Sequence, residues 1–186
     1  MKFCVSIIIL FLASGVILNT KAQDMDKSPV TVDSVNLNRY AGLWYEIAKI
    51  PNRFQKNCAR NTTATYKLRD DGKIEVINKC IEENGDTNTA EGVAKVTDTA
   101  TNAKLEVSFV RILGFQLFWG DYWIIGLDKD YSYAVVGTPS RKYGWILSRT
   151  PMLSSENINK IFELLKKQGY NPKDFVMTKQ TDNIER

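Results

Sequence analysis

The stretch Ala64-Thr65-Tyr66-Lys67-Leu68-Arg69-Asp70-Asp71-Gly72-Lys73-Ile74-Glu75-Val76-Ile77-Asn78-Lys79-Cys80 decides the fold class. Ala64, Tyr66 and Leu68 alternate with Thr65, Lys67 and Arg69, and the apolar parity resumes at Ile74 and Val76 after Asp70-Asp71-Gly72. Period two on both sides of a short Asp-Gly turn reads as a β-hairpin with one face in a core. Leu105, Val107 and Phe109 alternate with Lys104, Glu106 and Ser108 in the same way. Further strands are predicted at 43–50, 89–97, 121–128, 131–138 and 143–149, with Asp98-Thr99-Ala100-Thr101-Asn102 and Asp128-Lys129-Asp130 as polar turns. The total is eight antiparallel strands joined mostly by tight connections. That number closes an up-and-down β-barrel with room for one small ligand.

After Pro151 the period changes. Ile158, Ile161, Phe162 and Leu165 fall at helical spacing, with Ser154 as N-cap, Glu156 in the first turn, Lys166 and Lys167 in the last, and Gly169 beyond the end. The single apolar stripe predicts a C-terminal helix packed against the outside of the barrel, and a short strand is expected near Phe175–Met177. The fold class is all-β with one helix.

A chain of 186 residues is one domain with a sizeable core, and it contains no histidine. That excludes a Ser-His-Asp triad, a Cys-His pair and the usual histidine-containing zinc site. No catalytic residue, metal or cofactor is therefore assigned. A formal charge of +4 is too small to argue for nucleic acid, and no nucleic-acid partner is expected.

Residues 1–22 read as a signal peptide. Lys2 is followed by an apolar run from Cys4 to Leu18, then small residues at Thr20-Lys21-Ala22. The run is shorter than the ~20 residues of a membrane-spanning helix. Cys4 precedes that run, so the protein is not expected to be lipidated. Residues 23–35 read as a polar arm or tether, 36–180 as the barrel domain and 181–186 as a C-terminal tail. Beyond the leader the cysteines are Cys58 and Cys80, and an even count in an oxidising compartment predicts one disulfide.

Gly42-Leu43-Trp44-Tyr45-Glu46, preceded by the helical turn at Asn36–Tyr40, resembles the opening of a lipocalin. The Gly-x-Trp start and an Arg closing the last barrel strand, here Arg149 in Trp145-Ile146-Leu147-Ser148-Arg149-Thr150-Pro151, are that family's signature. The second family block, usually Thr-Asp-x-Tyr, is replaced by Leu127-Asp128-Lys129-Asp130-Tyr131. Within the family, Trp44–Ala48, Thr63–Tyr66, Asp70–Gly72 and Trp145–Pro151 resemble the bacterial lipocalins, with the apolipoprotein D-like and temperature-induced lipocalin-like members close to them. The resemblance spans about residues 36–180. It implies that Gly42, Trp44 and Arg149 form a structural plug at the closed end, the guanidinium lying on the indole.

Counting in twos from Arg149 sets Leu147, Trp145 and Tyr143 inward. On the sixth strand the inward set is either Tyr122, Ile124 and Gly126 or Trp123, Ile125 and Leu127. The resemblance favours the first, with Gly126 leaving room near the floor. Ala134 and Val136, Leu105, Val107 and Phe109, Ala64 and Tyr66, Val76 and Asn78, and Ala90, Ala94 and Val96 complete the lining. Loops 50–61, 82–88, 110–121 and 138–143 fall at the open end and bring Arg53, Lys56, Arg60, Arg111, Arg141 and Lys142. The candidate ligand contacts are Tyr66, Val76, Asn78, Val107, Phe109, Tyr122, Ile124, Val136, Tyr143, Trp145, Arg53 and Arg141. An apolar bore under a basic rim suits a fatty acid or lysophospholipid. Ile112–Trp119 is apolar enough to pack over the mouth or touch a membrane surface. Glu46 shares the parity of Trp44 and is expected inward, hydrogen-bonded near the floor rather than touching the ligand. Asn61-Thr62-Thr63 is a glycosylation sequon, meaningful in a eukaryotic source.

The expected function is non-enzymatic binding, storage or transport of a lipid amphiphile. Expected locations are the periplasm, the outer membrane's surface or the exterior, and the expected state is a monomer or weak homodimer. Two alternatives stand beside it: a lipid isomerase using a barrel cysteine, and a filled barrel serving protein interaction.

Overall fold

The computed structural model describes residues 27–181; the expected leader 1–22, and the tail beyond Thr181, lie outside the described residues. A helical turn, α1 (Leu37–Tyr40), leads into β1 (Gly42–Lys49), β2 (Cys58–Leu68), β3 (Ile74–Glu82), β4 (Thr87–Val96) and β5 (Lys104–Ser108). A small separate ribbon follows, β6 (Val110–Ile112) with β7 (Phe115–Leu117), and then β8 (Gly120–Leu127), β9 (Tyr133–Gly137) and β10 (Gly144–Ser148). The order β10-β9-β8-β5-β4-β3-β2-β1 closes through β10 and β1 into an eight-stranded antiparallel barrel. The β2–β3 hairpin pairs Leu68 with Ile74 and Thr63 with Lys79. Its turn is held where the Asp71 carboxylate accepts from Lys73 N at 3.1 Å and Gly72 takes φ +76°.

The helix α2 (Ser155–Lys167) is built as its caps foretell. Ser154 Oγ accepts from Asn157 N at 3.2 Å, and Gly169 ends it at φ +79°. Ile161 and Leu165 are fully buried against Ile47, Ala48, Ile125, Val135 and Ile146, the outward side chains of β1, β8, β9 and β10. The sheet therefore carries two cores, one inside the barrel and one beneath the helix. Each such apolar side chain contributes about 1.5–3 kcal/mol on burial.

Two β-bulges re-aim side chains that strict alternation assigns otherwise. On β8 the register slips between Ile124, opposite Val136, and Gly126, opposite Val135. Tyr122 and Ile124 face the bore, Ile125 and Gly126 face outward, and Leu127 returns inside. Gly126 does not widen the floor: a Cβ there would collide with Leu164 of α2, so its missing side chain seats the helix. On β1 the slip lies between Glu46, opposite Leu147, and Ala48, opposite Ile146. Ile47 and Ala48 both join the outer core, and Lys49 shares the inner face with Trp145.

The described part of the N-terminal arm is docked rather than a tether. Val30 exchanges two hydrogen bonds with the Gln168 amide, Val32 N donates to Ile124 O at 3.0 Å, and Val35 is buried. Beyond α2, β11 (Val176–Met177) pairs with Ala48 and Lys49. Gln180 Nε2 then donates to both Glu46 O (2.8 Å) and Thr62 O (2.9 Å), so the segment fills the gap where β1 and β2 diverge.

Candidate ligand-binding barrel

The floor is assembled around Arg149. Its guanidinium lies 3.8 Å over the Trp44 ring, and its two terminal nitrogens donate to Leu43 O, Arg39 O, Tyr40 O and Ala41 O at 2.6–3.1 Å. Trp44 Nε1 donates to Tyr40 O at 2.8 Å, and Trp44 is fully buried. Five backbone and ring contacts on one planar cation lock α1 to the ends of β1 and β10. Arg149 is thereby taken up in structure.

Above the floor the wall is apolar. Tyr66, Val76, Ala94, Leu105, Val107, Tyr122, Ile124, Val136, Leu147 and Trp145 belong to one inner cluster. Ile124, Val136, Val76 and Leu105 are buried, while Val107, Asn78, Tyr122 and Trp145 are half-buried and Ala90 is exposed. Exposure of the inner wall is greatest toward the mouth, at Ala90 and Phe109, while Leu68, Val96 and Leu127 at the floor ends of their strands are half-buried. Phe109 lies just beyond β5 with its ring over Gly92, in the space a fourth-strand side chain would fill.

Three tyrosines converge in the lower bore. Tyr122 Oη lies 2.7 Å from Tyr40 Oη and 2.9 Å from Tyr66 Oη. Burial pushes the Tyr66 phenol up to about 12 and raises Tyr40 and Tyr122 well above their ordinary value, so all three stay protonated and neutral at physiological pH. Tyr40 was outside the sequence-derived lining; it belongs to the helical turn rather than a strand, so alternation gives it no face.

Near the mouth a polar cluster crosses the wall. The buried Glu46 carboxylate accepts from Gln55 Nε2 and from Thr178 Oγ1, both at 2.6 Å, and Lys49 Nζ lies 3.1 Å away. Glu46 is inward and hydrogen-bonded as expected, but its partners come from the mouth-side loop and the C-terminal segment rather than from the floor. Gln55 also accepts from Trp145 Nε1 at 2.9 Å, tying the loop after β1 to the inner face of β10. Tyr143 stacks on Trp145 and tilts against Phe54, so these three rings form a continuous aromatic edge to the mouth.

The rim bases divide. Arg53 is exposed with its guanidinium over the Phe54 ring, and Lys56, Arg111 and Lys142 are exposed at the same end. Arg141 corrects the sequence expectation. Its Nε donates to Gln168 O at 2.7 Å and its guanidinium lies on Gly169, so it caps the carboxyl end of α2 outside the barrel. Arg60 likewise donates to Glu82 O at 3.5 Å. The loop expected at 110–121 is the β6–β7 ribbon, paired Val110 to Leu117 and Ile112 to Phe115, with Leu113 (92 % exposed), Phe115 (73 %) and Phe118 (79 %) in solvent.

Cys58 and Cys80 are disulfide-bonded, joining the start of β2 to β3. A barrel-cysteine isomerase therefore has no thiol among the described residues, and no His, Cys, Asp or Glu cluster there fits a metal ion. In the sequon, Asn61 Oδ1 accepts from Thr181 N at 2.8 Å and its amide donates to Thr181 Oγ1, so that side chain is already engaged.

A family model described as "Lipocalin-like domain" matches residues 35–180, the whole barrel with its helix. This chain belongs to the lipocalin family. It is 40% identical over 159 residues to "Temperature-induced lipocalin-1" of Arabidopsis thaliana, covering 84% of this chain and 85% of that one. It is also 40% identical over 150 residues to "Outer membrane lipoprotein Blc" of Escherichia coli K12 (80% and 81% covered). Against mouse "Apolipoprotein D" it is 32% identical over 188 residues, covering 94% and 95%. Among solved structures, insecticyanin of the tobacco hornworm superposes with a TM-score of 0.66 at 24% identity, covering 84% of this lipocalin and 85% of that chain. Apocrustacyanin C2 gives 0.63 at 19%, covering 83% and 91%. At those identities the two structures speak to the fold alone. The family function, holding a small hydrophobic ligand in the barrel, applies to this lipocalin in that general form.

Proposed function

We propose that this lipocalin is exported and that it binds and carries a lipid amphiphile, a fatty acid or a lysophospholipid, without chemically changing it. The observation that carries the reading is the apolar inner wall of the barrel, whose most exposed side chains, Ala90 and Phe109, lie toward the mouth. That end also holds the exposed bases Arg53, Lys56, Arg111 and Lys142. An acyl tail would lie along Val107, Tyr122 and Trp145, with an anionic head among the bases. Burying about ten methylenes at ~0.8 kcal/mol each gives ample gross driving force before ordering costs. The test is mass spectrometry of organic extracts of the purified protein, followed by titration of the delipidated protein with a fluorescent fatty acid. A co-purifying lipid and saturable binding are expected. Absence of both would favour a filled barrel used for protein contacts. Arg53→Glu with Lys142→Glu weakens anionic amphiphiles more than neutral ones; equal losses would make the bases incidental.

We further infer that the β6–β7 ribbon touches a lipid surface while the ligand enters or leaves. Its two-residue turn is Leu113-Gly114, both with positive φ (+50° and +88°). Folding favours Asn, Asp or Gly at the first of these positions, because a bulky side chain is strained there. Leu113 occupies it with 92 % of its surface exposed, which gives the fold nothing in return. Flotation with vesicles of phosphatidylcholine and phosphatidylglycerol should recover the protein, and Leu113→Glu with Phe118→Glu should release it. Retention of that variant would remove the ribbon from the account.

A further inference from the structure

The tyrosine triad has one more proton than it uses. Tyr40, Tyr66 and Tyr122 carry three hydroxyl protons, but two hydrogen bonds join them, 2.7 and 2.9 Å long, and both involve Tyr122. A chain of three hydroxyls linked by two bonds always leaves one donor over. Among the described residues no other acceptor meets any of these hydroxyls. Tyr40 and Tyr66 are buried, so the donor left over is costly wherever a ligand displaces solvent from it without supplying an acceptor. Such a group in a native interior calls for an explanation.

The space beside the triad supplies one. Tyr122 is only half-buried although it points into the barrel. Gly120 precedes it on the same inner face, opposite Val107, and a Cβ there would meet nothing nearer than Val107 O at 3.9 Å. Ala94 lies opposite Val107 on the other side of β5. Gly120 and Ala94 thus leave the inner face low beside Val107 and Tyr122, with the Phe109 ring over Gly92 next along the fourth strand.

We propose that the triad is a receptor for a hydrogen-bond acceptor carried deep in the bore, and that this lipocalin selects acyl chains bearing a carbonyl oxygen over plain hydrocarbon chains. This rests on the amphiphile reading above. A plain alkyl tail reaching this depth would strip water from the spare hydroxyl and give nothing back. A keto group at the right carbon accepts its proton. The discrimination comes from the site's own unsatisfied donor, the kind of asymmetry that hydrogen-bonding pockets exploit against analogues lacking the partner.

The experiment compares octadecanoic acid with a series of oxo-octadecanoic acids, each with its keto carbon ¹³C-labelled at a different position, against the delipidated full chain. One or two adjacent keto positions should bind about 5-fold tighter than octadecanoic acid. Their labelled carbonyl stretch, read in the bound state, should lie lower in frequency than that of the same acid in hydrocarbon solvent. In the combined Tyr40→Phe, Tyr66→Phe and Tyr122→Phe variant the ratio of oxo to plain affinity should fall to one and the frequency shift should vanish. Tyr66→Phe alone, should the triple variant fail to fold, still leaves one hydroxyl proton over on the Tyr40–Tyr122 pair, so preference and shift should persist, and their loss would overturn the donor count. The proposal is also overturned if no position is preferred in the wild type, or if preference and shift survive in the triple variant, as a carbonyl bonded to water would produce. Failure of every probe to bind, octadecanoic acid included, would instead bring down the amphiphile reading, so the two failures are distinct.

Discussion

The two ends of the barrel are made by the same eight strands and are finished in opposite ways. At the closed end Arg149 serves four carbonyls and an indole at once, and Trp44 and Tyr40 are buried beneath it. At the open end Phe54, Leu113, Phe115 and Phe118 are mostly in water, and one of them sits in a strained turn. The floor is held by the burial and hydrogen bonds of Trp44 and Arg149, whereas the mouth is held by the Cys58–Cys80 crosslink and leaves its aromatic side chains in water. A binding barrel needs both, because a rigid floor fixes the strand tilt and lets the loops vary.

That contrast is open to measurement. Trp44→Ala removes the fully buried ring under Arg149 and should cost ~3–5 kcal/mol in urea unfolding; a loss below ~1 kcal/mol would mean the floor is not the stable end. Replacing both Cys58 and Cys80 by Ser releases a crosslink of separation 22 and should cost between ~3 and 4 kcal/mol by chain entropy, read from the same denaturation.

The triad gives a pH signature. Its phenols ionise at higher pH in the folded chain than in the unfolded one, so their contribution is complete below pH ~10 and is lost as pH rises through the folded value, about 12 for Tyr66. Tyr66 alone accounts for somewhat under ~3 kcal/mol across that window. Unfolding measured from pH 8 to 12 should show a flat region and then a fall. A Tyr66→Phe variant losing stability just as steeply would contradict it. At the mouth the sign reverses. Leu113→Asn should stabilise the fold by ~0.5–1 kcal/mol, since Asn tolerates positive φ, while weakening vesicle binding. Phe115→Ser should leave stability within ~0.5 kcal/mol.

Much of this was legible from alternation and caps. The β2–β3 hairpin, the eight strands, Ser154 and Gly169 at the ends of α2, the Arg149–Trp44 stack and the disulfide each leave a local mark: a period, a cap residue, a paired count or a family signature. The bulges at Ile125 and at Ile47 leave none. One extra residue in a strand changes the parity of everything after it without changing composition. Strict alternation thus puts Gly126 on the wrong face and gives Lys49 no inward role. Arg141 misled for another reason. Its loop belongs to the mouth, but a long flexible side chain can serve either side of a wall, and the carbonyls ending α2 hold it outside. Gln55, a polar residue in a polar loop, carried no signal until Glu46 and Trp145 were seen converging on it.

The segment wedged between β1 and β2 has a consequence for how the molecule is made. Gln180 joins Glu46 to Thr62 from 134 and 118 positions away, and Thr178 N reaches back to Ile47 O. One side of the wall is thus completed by residues synthesised more than a hundred positions after the strands they join. Contacts of such separation form slowly. Removing residues 176–180 should therefore leave the wall open between β1 and β2 and the Glu46 carboxylate without its Thr178 partner.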